Sequence, residues 1–236
     1  MTSNTLNTKT LGILGGMSTE STISYYQAIN RAVNQRLGGN HGAKLLIANL
    51  DFQQVVALQK SGDWSGAGEL LADYAKRLQV AGADGILIAT NTMHKVAPQV
   101  QSGIDVPLLH LLEATAKNIQ QQGLNKVGLL GTMFTMCDGF YQDFMSQHGI
   151  EVIVPNERER EQVHTIIYDE LCVGQINATS QQIYLEIIQN LHQAGAEAVI
   201  LGCTEIGLLV QQTATNVPLI DSTQVHIDDA VDWLLN

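Results

Sequence analysis

The sequence repeats itself once, and this duplication limits the possible folds more than any other feature. Three segments recur in the same order: LGILGGMST at 11–19 and VGLLGTMFT at 127–135, AGADGILIATNT at 81–92 and AGAEAVILGCTE at 194–205, and VPL at 106–108 and 217–219. The copies are offset by 116, 113 and 111 residues, so their spacing is nearly constant. A period above about 100 residues is too long for a solenoid repeat. The chain is therefore predicted to contain a duplicated domain.

Short apolar runs alternate with longer stretches of helical periodicity. The predicted strands are Leu11–Leu14, Lys44–Leu50, Gly85–Ala89, Val127–Leu130, Glu151–Val154 and Ala198–Gly202. The predicted helices are Glu20–Leu37, Ala67–Ala81, Gly139–His148, Glu159–Val173 and Thr179–Ala194. This alternation is typical of parallel sheets with right-handed crossovers. We therefore expect an α/β fold of two similar parallel-sheet domains, related by a pseudo-twofold axis, with a ligand cleft between them.

The length and composition of the chain agree with two domains. A chain of 236 residues fits two units of roughly 100–130 residues each, and its 45% hydrophobic content can fill two cores. Intrinsic disorder is excluded by the same composition. We expect residues 1–109 plus 217–236 to form the first domain, with the C-terminal segment returning to it. Residues 110–216 are expected to form the second domain.

The charge balance excludes several classes of function. Twelve Lys and Arg stand against 23 Asp and Glu, which gives a formal net charge of -11. A surface of this sign repels nucleic acid and anionic membranes, so neither is expected as a partner. The first ten residues, MTSNTLNTKT, contain no long apolar run, and no apolar stretch reaches the ~20 residues of a membrane helix. We therefore expect a soluble cytoplasmic protein.

The cysteines do not form a recognisable framework. There are three of them, Cys137, Cys172 and Cys203, without C-x-x-C spacing. This pattern predicts neither a disulfide framework nor a structural zinc site, and no metal is expected. Position alone favours a packed apolar side chain for Cys137 and Cys172.

The loops that follow the duplicated strands are the predicted ligand site. In an open parallel sheet, ligands bind beyond the carboxyl ends of the strands. If the two halves face each other, four loops line one cleft: 15–19, 90–93, 131–135 and 203–206. The duplication makes Thr90 and Cys203 equivalent positions on opposite walls of that cleft. Such an arrangement suits chemistry on two faces of one small molecule.

Cys203 ends an apolar strand at the point where a helix is expected to begin. A helix N-terminus stabilises a thiolate, so we expect the pKa of Cys203 to lie below the free value of ~8.5. The counterpart loop, Thr90–His94, offers hydroxyls and an amide for a carboxylate or an ammonium group, or as a helix cap. His94 is expected to be a supporting group rather than a base.

Other features indicate packing or turns rather than chemistry. Gly12, Gly15 and Gly16 follow neither the G-x-G-x-x-G nor the P-loop pattern, so a dinucleotide site is not expected. The charged run Glu157–Glu161 is typical of a solvated helix start, and Trp64 is expected to pack in a turn.

Three motifs resemble those of a known family: LGGMS at 14–18, NTMH at 91–94 and GCTEI at 202–206. Together they are similar to the aspartate/glutamate racemase family of cofactor-independent amino-acid racemases, and the resemblance runs from about Leu11 to Leu234. It implies two similar α/β domains with the active site between them, no cofactor and a homodimer. It also implies that Thr90 and Cys203 are the catalytic pair. The residues that it implies line the substrate pocket are Met17, Gln59, Asn91, Thr92, Met93, Thr132, Thr204 and Glu205.

The sequence departs from the family pattern at one catalytic position. Most members have cysteine at both positions, whereas this chain has Thr90 opposite Cys203. A branch specific for L-aspartate and L-glutamate carries the same threonine in a similar Thr-Asn-Thr-Met-His-Lys context. Some aspartate racemases also hold the substrate's side-chain carboxylate with a lysine, and the matching position here is Cys172. The resemblance thus adds Cys172 to the substrate-binding residues and leaves open how a side-chain carboxylate is held.

Racemisation without a cofactor needs a base on one face of the α-carbon and an acid on the other. We expect Cys203, as a thiolate, to remove the α-proton of L-aspartate or L-glutamate. The Thr90 hydroxyl is a poor base near neutral pH, but it can return a proton, directly or through water, to give the D-enantiomer. Two alternatives remain open at this point. One is a single-cysteine decarboxylase or isomerase of the same superfamily, and the other is a non-catalytic amino-acid-binding protein.

Overall fold

The computed structural model describes residues 9–236. The first ten residues are expected to contain no signal peptide. Residues 1–8 of that segment lie outside the described residues. Among the residues from 9 onwards, no helix is long and apolar enough to cross a membrane.

The first half of the chain forms a parallel four-stranded sheet. Its strands are β1 (Thr10–Gly15), β2 (Lys44–Asn49), β3 (Gly85–Ile88) and β4 (Leu108–Leu109), in the order β2-β1-β3-β4. Four helices connect these strands: α1 (Thr19–Leu37), α2 (Phe52–Ser61), α3 (Trp64–Val80) and α4 (Ala97–Ser102). A 3₁₀ turn, Thr92–Val96, leads from β3 into α4.

The second half repeats this arrangement. Its strands are β5 (Lys126–Gly131), β6 (Glu151–Ile153), β7 (Ala198–Gly202) and β8 (Leu219–Asp221), in the order β6-β5-β7-β8. Its helices are α5 (Leu111–Gln121), α6 (Met133–Cys137), α7 (Phe140–Gln147), α8 (Glu157–Asp169), α9 (Ala178–Gln193) and α10 (Ile206–Leu209), and α11 (Ser222–Leu235) ends the chain. The identical strand order in two parallel sheets confirms the predicted duplicated α/β fold.

Helices cover both faces of each sheet, which explains why the inner strands are apolar throughout. On the first sheet, α3 and α4 pack on one face, and α1 and α11 pack on the other. On the second sheet, α8 and α9 cover one face, and α5 and α7 cover the opposite one. The two helix layers leave the carboxyl ends of the strands free to carry a site.

The C-terminal segment divides between the two halves. Helix α11 buries Ile227 and Val231 against Leu11 and Ile13 of β1, in the first half. Strand β8, however, pairs in parallel with β7 of the second sheet. Residues 219–221 therefore differ from the expectation that all of 217–236 returns to the first domain, because β8 extends the hydrogen-bonded edge of β7. The other expected domain bounds stay a prediction.

The six predicted strands occur within one residue of their expected ends, whereas several other elements were not predicted. These are β4, β8, α2, α4, α5, α6, α10 and α11. The predicted helix 159–173 is interrupted: α8 ends at Asp169, and a separate 3₁₀ turn, Leu171–Val173, ends at Gly174 with a φ of 75°. This turn positions Cys172, which would otherwise continue the surface of α8.

Candidate active site

A narrow cavity lies between the two halves, where the loops after β1, β3, β5 and β7 meet. Its free volume of about 20 Å³ has room for one or two water molecules. The lining residues are Met17, Phe52, Gln59, Thr90, Asn91, Thr92, Met93, Thr132, Ile167, Tyr168, Cys172, Gly202, Cys203, Thr204 and Glu205.

The turn after β1 brings the start of α1 close to the cavity. Gly16 has a φ of 81°, and a Cβ placed on it would lie 2.2 Å from the backbone oxygen of Leu50. Only glycine fits this close approach of two backbones. The Gly16 N–H donates to Thr22 Oγ1 at 2.7 Å, which ties the turn to the first turn of α1. Gly16 therefore serves the local geometry of this turn.

Thr90 lies at the end of β3 and is held through its backbone. His94 Nδ1 lies 2.8 Å from the Thr90 carbonyl oxygen, and the Leu111 N–H donates to His94 Nε2 at 3.1 Å. These contacts assign the ring proton to Nδ1 and leave Nε2 as an acceptor. Burial lowers the pKa of His94 well below its ordinary value, and the neighbouring histidines lower it further. His94 is thus a neutral positioning group, as the sequence indicated.

Three hydroxyls meet beside this wall and join the two halves. Thr92 Oγ1 lies 3.0 Å from Thr132 Oγ1 and 3.1 Å from Thr135 Oγ1. Thr132 also caps α6, because its side chain accepts from the Thr135 N–H. A hydroxyl both donates and accepts, so this cluster can turn a donor toward a bound carboxylate.

The opposite wall carries two thiols that share one carboxylate. The Cys203 thiol donates to Glu205 Oε2 at 3.0 Å, and the Cys172 thiol lies 3.8 Å from Glu205 Oε1. Ser18, the N-cap of α1, donates its hydroxyl to the same Oε1. Next to this group, Ser21 donates to Thr204 Oγ1 at 2.9 Å. The start of α1 therefore fixes both residues that follow Cys203.

This carboxylate overturns the expected thiolate. Burial raises the pKa of Cys203 well above its ordinary value, and the negative charge of Glu205 raises it further. The same two causes raise the pKa of Cys172 to about 12. Helix α10, which begins at Ile206, has only four residues and supplies little opposing field. In the free protein, Cys203 is a thiol that hydrogen-bonds to a carboxylate.

Two buried amides keep an unpaired atom beside the cavity. Asn91 is 3% exposed and accepts from Ser222 Oγ at 3.1 Å, while its Nδ2 has no partner. Gln59 places Nε2 3.1 Å from the sulfur of Met93 and leaves Oε1 without a partner. A buried unpaired amide atom costs free energy, so each of these atoms is a ready contact for a polar ligand.

The cavity brings together every residue that the sequence predicted for the site. Their roles, catalytic or binding, stay predictions. The lining residues that sequence reasoning missed are Phe52, Ile167 and Tyr168, which come from α2 and α8. The sequence could have indicated Tyr168, because it lies four residues before Cys172 and therefore on the same face of the predicted helix 159–173.

Features outside the cavity mostly follow their structural interpretation. Trp64 packs edge-on against Phe134 at 5.5 Å, and the 157–161 run begins α8 behind a capping box at Asn156. Cys137 is exposed, so its predicted packing is wrong; it lies beyond the buried face of the short helix α6. In the part of the chain from residue 9 to 236, no group of three or more His, Cys, Asp or Glu side chains is arranged so that it could hold a metal ion.

Comparisons with known proteins agree with this architecture. A family model described as Asp/Glu/hydantoin racemase matches residues 14–230. The broad specificity amino-acid racemase RacX of Bacillus subtilis is 25% identical over 223 residues, which cover 90% of this chain and 92% of RacX. A crystal structure of a protein assigned as an Asp/Glu racemase from Yersinia pestis is 48% identical, with a TM-score of 0.90, and covers 97% of this chain and 100% of its own. An aspartate racemase homologue from Pyrococcus horikoshii is 33% identical with a TM-score of 0.85, over 97% and 100% of the two chains.

Proposed function

Because the chain belongs to the Asp/Glu/hydantoin racemase family and is an isomerase of the racemase class, we propose that it converts L-aspartate or L-glutamate to the D-enantiomer. The proposal includes no cofactor and assigns the two proton transfers to Cys203 and Thr90. A homodimer and a cytoplasmic location belong to the same proposal.

The proposed direction, from the L-enantiomer to the D-enantiomer, rests on a difference between the two duplicated walls of the cavity. Position 203 holds a thiol where position 90 holds a hydroxyl, and position 205 holds a carboxylate where position 92 holds a second hydroxyl. The Cys203 thiol and the Glu205 carboxylate are already hydrogen-bonded at 3.0 Å. Only one wall therefore places a carboxylate beside its proton-transfer group, where the carboxylate can accept the thiol proton.

In the proposed reaction, Glu205 activates Cys203. The thiol proton passes to the Glu205 carboxylate as the sulfur accepts the α-proton, and the electron pair of the broken C–H bond stays on the substrate. The Thr90 hydroxyl then donates its proton to the opposite face of the α-carbon, directly or through water. Water restores the proton of Thr90 and removes the proton from Glu205, so each turnover leaves the protein unchanged.

The carbanionic transition state needs hydrogen bonds that strengthen as charge moves onto the substrate carboxylate. The unpaired Nδ2 of Asn91 and the hydroxyls of Thr92, Thr132 and Thr204 border the cavity and supply donors of this kind. We assign these residues, with Met17, Gln59 and Met93, to substrate binding. Cys172 completes this set.

The test follows the α-proton itself. The protein is incubated with L-aspartate and L-glutamate in deuterated water without pyridoxal phosphate, and α-proton loss and chirality are followed by NMR and chiral chromatography. We expect exchange and D-product with the wild type. Cys203→Ser should lower kcat/KM by at least about a thousandfold, because serine is far less acidic and cannot replace the thiol as a base.

Cys137→Ser is the matched control, since Cys137 is exposed and does not line the cavity, and it should keep full activity. Exchange that persists in Cys203→Ser would refute the assignment of the base. Carbon dioxide release from a malonate without exchange on amino acids would favour the decarboxylase alternative. Tight amino-acid binding without exchange would favour a binding protein.

A further inference from the structure

The reaction cavity does not contain a cation for the second carboxylate of an acidic amino acid. Among the described residues that line it, Glu205 is the one formally charged side chain, and it is negative. Cys172 is a neutral thiol, because burial and Glu205 raise its pKa to about 12. The hydroxyl and amide donors of this cavity are assigned to the substrate's α-carboxylate. A second carboxylate there would meet the negative charge of Glu205 without a cationic partner. If the substrate is acidic, its distal carboxylate must reach another part of the structure.

A second and larger cavity adjoins the first. Its volume is about 470 Å³, ample for an amino-acid side chain, and it shares Gln59 and Tyr168 with the reaction cavity. Its remaining lining residues are Val56, Lys60, Phe134, His164, Thr165 and Asp169. We call this space the outer chamber.

Two helix faces run from the reaction cavity into the outer chamber. On α2, Phe52 lines the inner cavity, and Val56 and Lys60 follow at successive four-residue steps along the chamber. On α8, His164 lines the chamber and Tyr168, one step later, borders both spaces. Residues four apart lie on one face of a helix, so each helix contributes a continuous wall. The two helix walls therefore connect the outer chamber with the reaction cavity.

Lys60 is the one formally positive side chain among the described residues that line this chamber. It is exposed and follows Gln59, which borders both spaces. The other titratable groups that face it are His164, Tyr168 and Asp169 on α8, and burial raises the pKa of the Tyr168 hydroxyl, which therefore stays neutral. Burial lowers the pKa of His164, which Asp169 raises and Lys60 lowers, so the imidazole is mostly neutral at pH 7. Its Nδ1 accepts from the Met133 N–H at 3.2 Å, which holds the ring in place.

We propose that the outer chamber is the entrance of the active site and that Lys60 is a specificity-determining residue that binds the side-chain carboxylate of an acidic substrate. This inference rests on the proposed racemase function and adds the source of acidic specificity. Gln59 and Tyr168 lie between the chamber and the thiols, so the substrate passes them with its α-carbon leading. Its distal carboxylate then stays on the Lys60 side.

The experiment measures binding and turnover in Lys60→Gln and in the control Lys76→Gln, which removes the same charge from an exposed site on α3. In Lys60→Gln, we expect KM for L-glutamate and L-aspartate to rise about tenfold while kcat changes less than twofold. That factor corresponds to the loss of one charge-assisted hydrogen bond. Lys76→Gln should leave both parameters unchanged.

Binding without turnover provides the second readout. The Kd of glutarate, a dicarboxylate, should rise about tenfold in Lys60→Gln, and that of butyrate, a monocarboxylate, should stay the same. Equal weakening of both ligands, or no change in either, would overturn the role of Lys60. A wild type that racemises no amino acid would instead refute the proposed function, and the glutarate titration would still test the carboxylate site.

Discussion

Three histidines pack together near Thr90, and they make the stability of the fold sensitive to acid. The rings of His94 and His110 are 4.9 Å apart, and those of His94 and His226 are 5.7 Å apart. His226 Nε2 lies 2.9 Å from the Leu109 carbonyl oxygen, and its Nδ1 lies 2.9 Å from the Tyr25 hydroxyl. Burial lowers the pKa of His226 to about 4, and its Leu109 contact opposes this shift only in part.

The sign of the effect follows from the lowered pKa. Unfolding returns His226 to its ordinary pKa of about 6.5, so the unfolded chain binds more protons than the folded one between pH 6.5 and 4. The contribution of neutral His226 to the free energy of unfolding is therefore complete above pH 6.5, and it is lost as the pH falls toward 4. At pH 5, His226 alone costs about 2 kcal/mol of unfolding free energy, at 1.36 kcal/mol for each of about 1.5 pH units. That loss is a large share of the ~5–15 kcal/mol by which domains are stable.

Urea unfolding at pH 7.5 and pH 5 measures this term directly. His226→Gln keeps a donor and an acceptor but does not titrate. The variant should therefore lose about 2 kcal/mol less unfolding free energy between the two pH values than the wild type does. Comparing each protein with itself cancels any constant cost of the substitution. His41→Gln removes an exposed histidine and should lose as much as the wild type. An equal loss in His226→Gln and wild type would refute the reasoning.

Three further predictions concern the site and its supporting turn. Cys172→Ala should raise KM or change the preference between aspartate and glutamate with only a modest loss of kcat, and a loss as complete as in Cys203→Ser would mean that the wrong thiol has been chosen as the base. Thr90→Cys should raise kcat for the D-enantiomer more than for the L-enantiomer, as measured by chiral assays in both directions, because it adds a second thiol. Gly16→Ala should lower the unfolding free energy by about 2–4 kcal/mol in urea, through overlap with Leu50 added to backbone strain. Gly39→Ala, where φ is 56° and no atom lies within 4 Å, should cost about 1 kcal/mol, and equal costs would contradict the overlap.

Local patterns predicted the inner strands β1, β3, β5 and β7 because those strands are buried along nearly their whole length. The apolar run Ala198–Gly202 is buried at every position, and the strand has the predicted ends. Strand β4 has only two residues, too few for a periodic signal. Helix α2 has the polar pair Gln53 and Gln54 in its first turn, and this pair obscures the apolar periodicity of the helix in the sequence. The packing of α11 against β1 joins the two ends of the chain, and no local pattern contains that information.

The site was predicted better by the repeat than by the chemistry of single residues. Alignment of the two copies placed Thr90 opposite Cys203, and both line the same cavity. The protonation state of Cys203 could not be derived in that way. It depends on the burial of the thiol and on Glu205, two residues later, whose carboxylate turns back toward the sulfur within a tight turn. The outer chamber was not predicted either, because α8 and α2 are far apart in sequence and meet only in the folded protein.

The difference between the Thr90 wall and the Cys203 wall affects kcat and KM in the two directions, and thermodynamics constrains how. Two enantiomers have an equilibrium constant of one in water, so kcat/KM must be the same in both directions. If the Thr90 wall is a poor base, kcat for the D-enantiomer is low, and its KM must be low in the same proportion. The D-product would then occupy the site at low concentrations and inhibit turnover of the L-substrate. Progress curves that start from L-substrate should bend early, with an inhibition constant for the D-enantiomer close to its own KM. Equal kcat values in the two directions would mean that a base other than the Thr90 hydroxyl serves that wall.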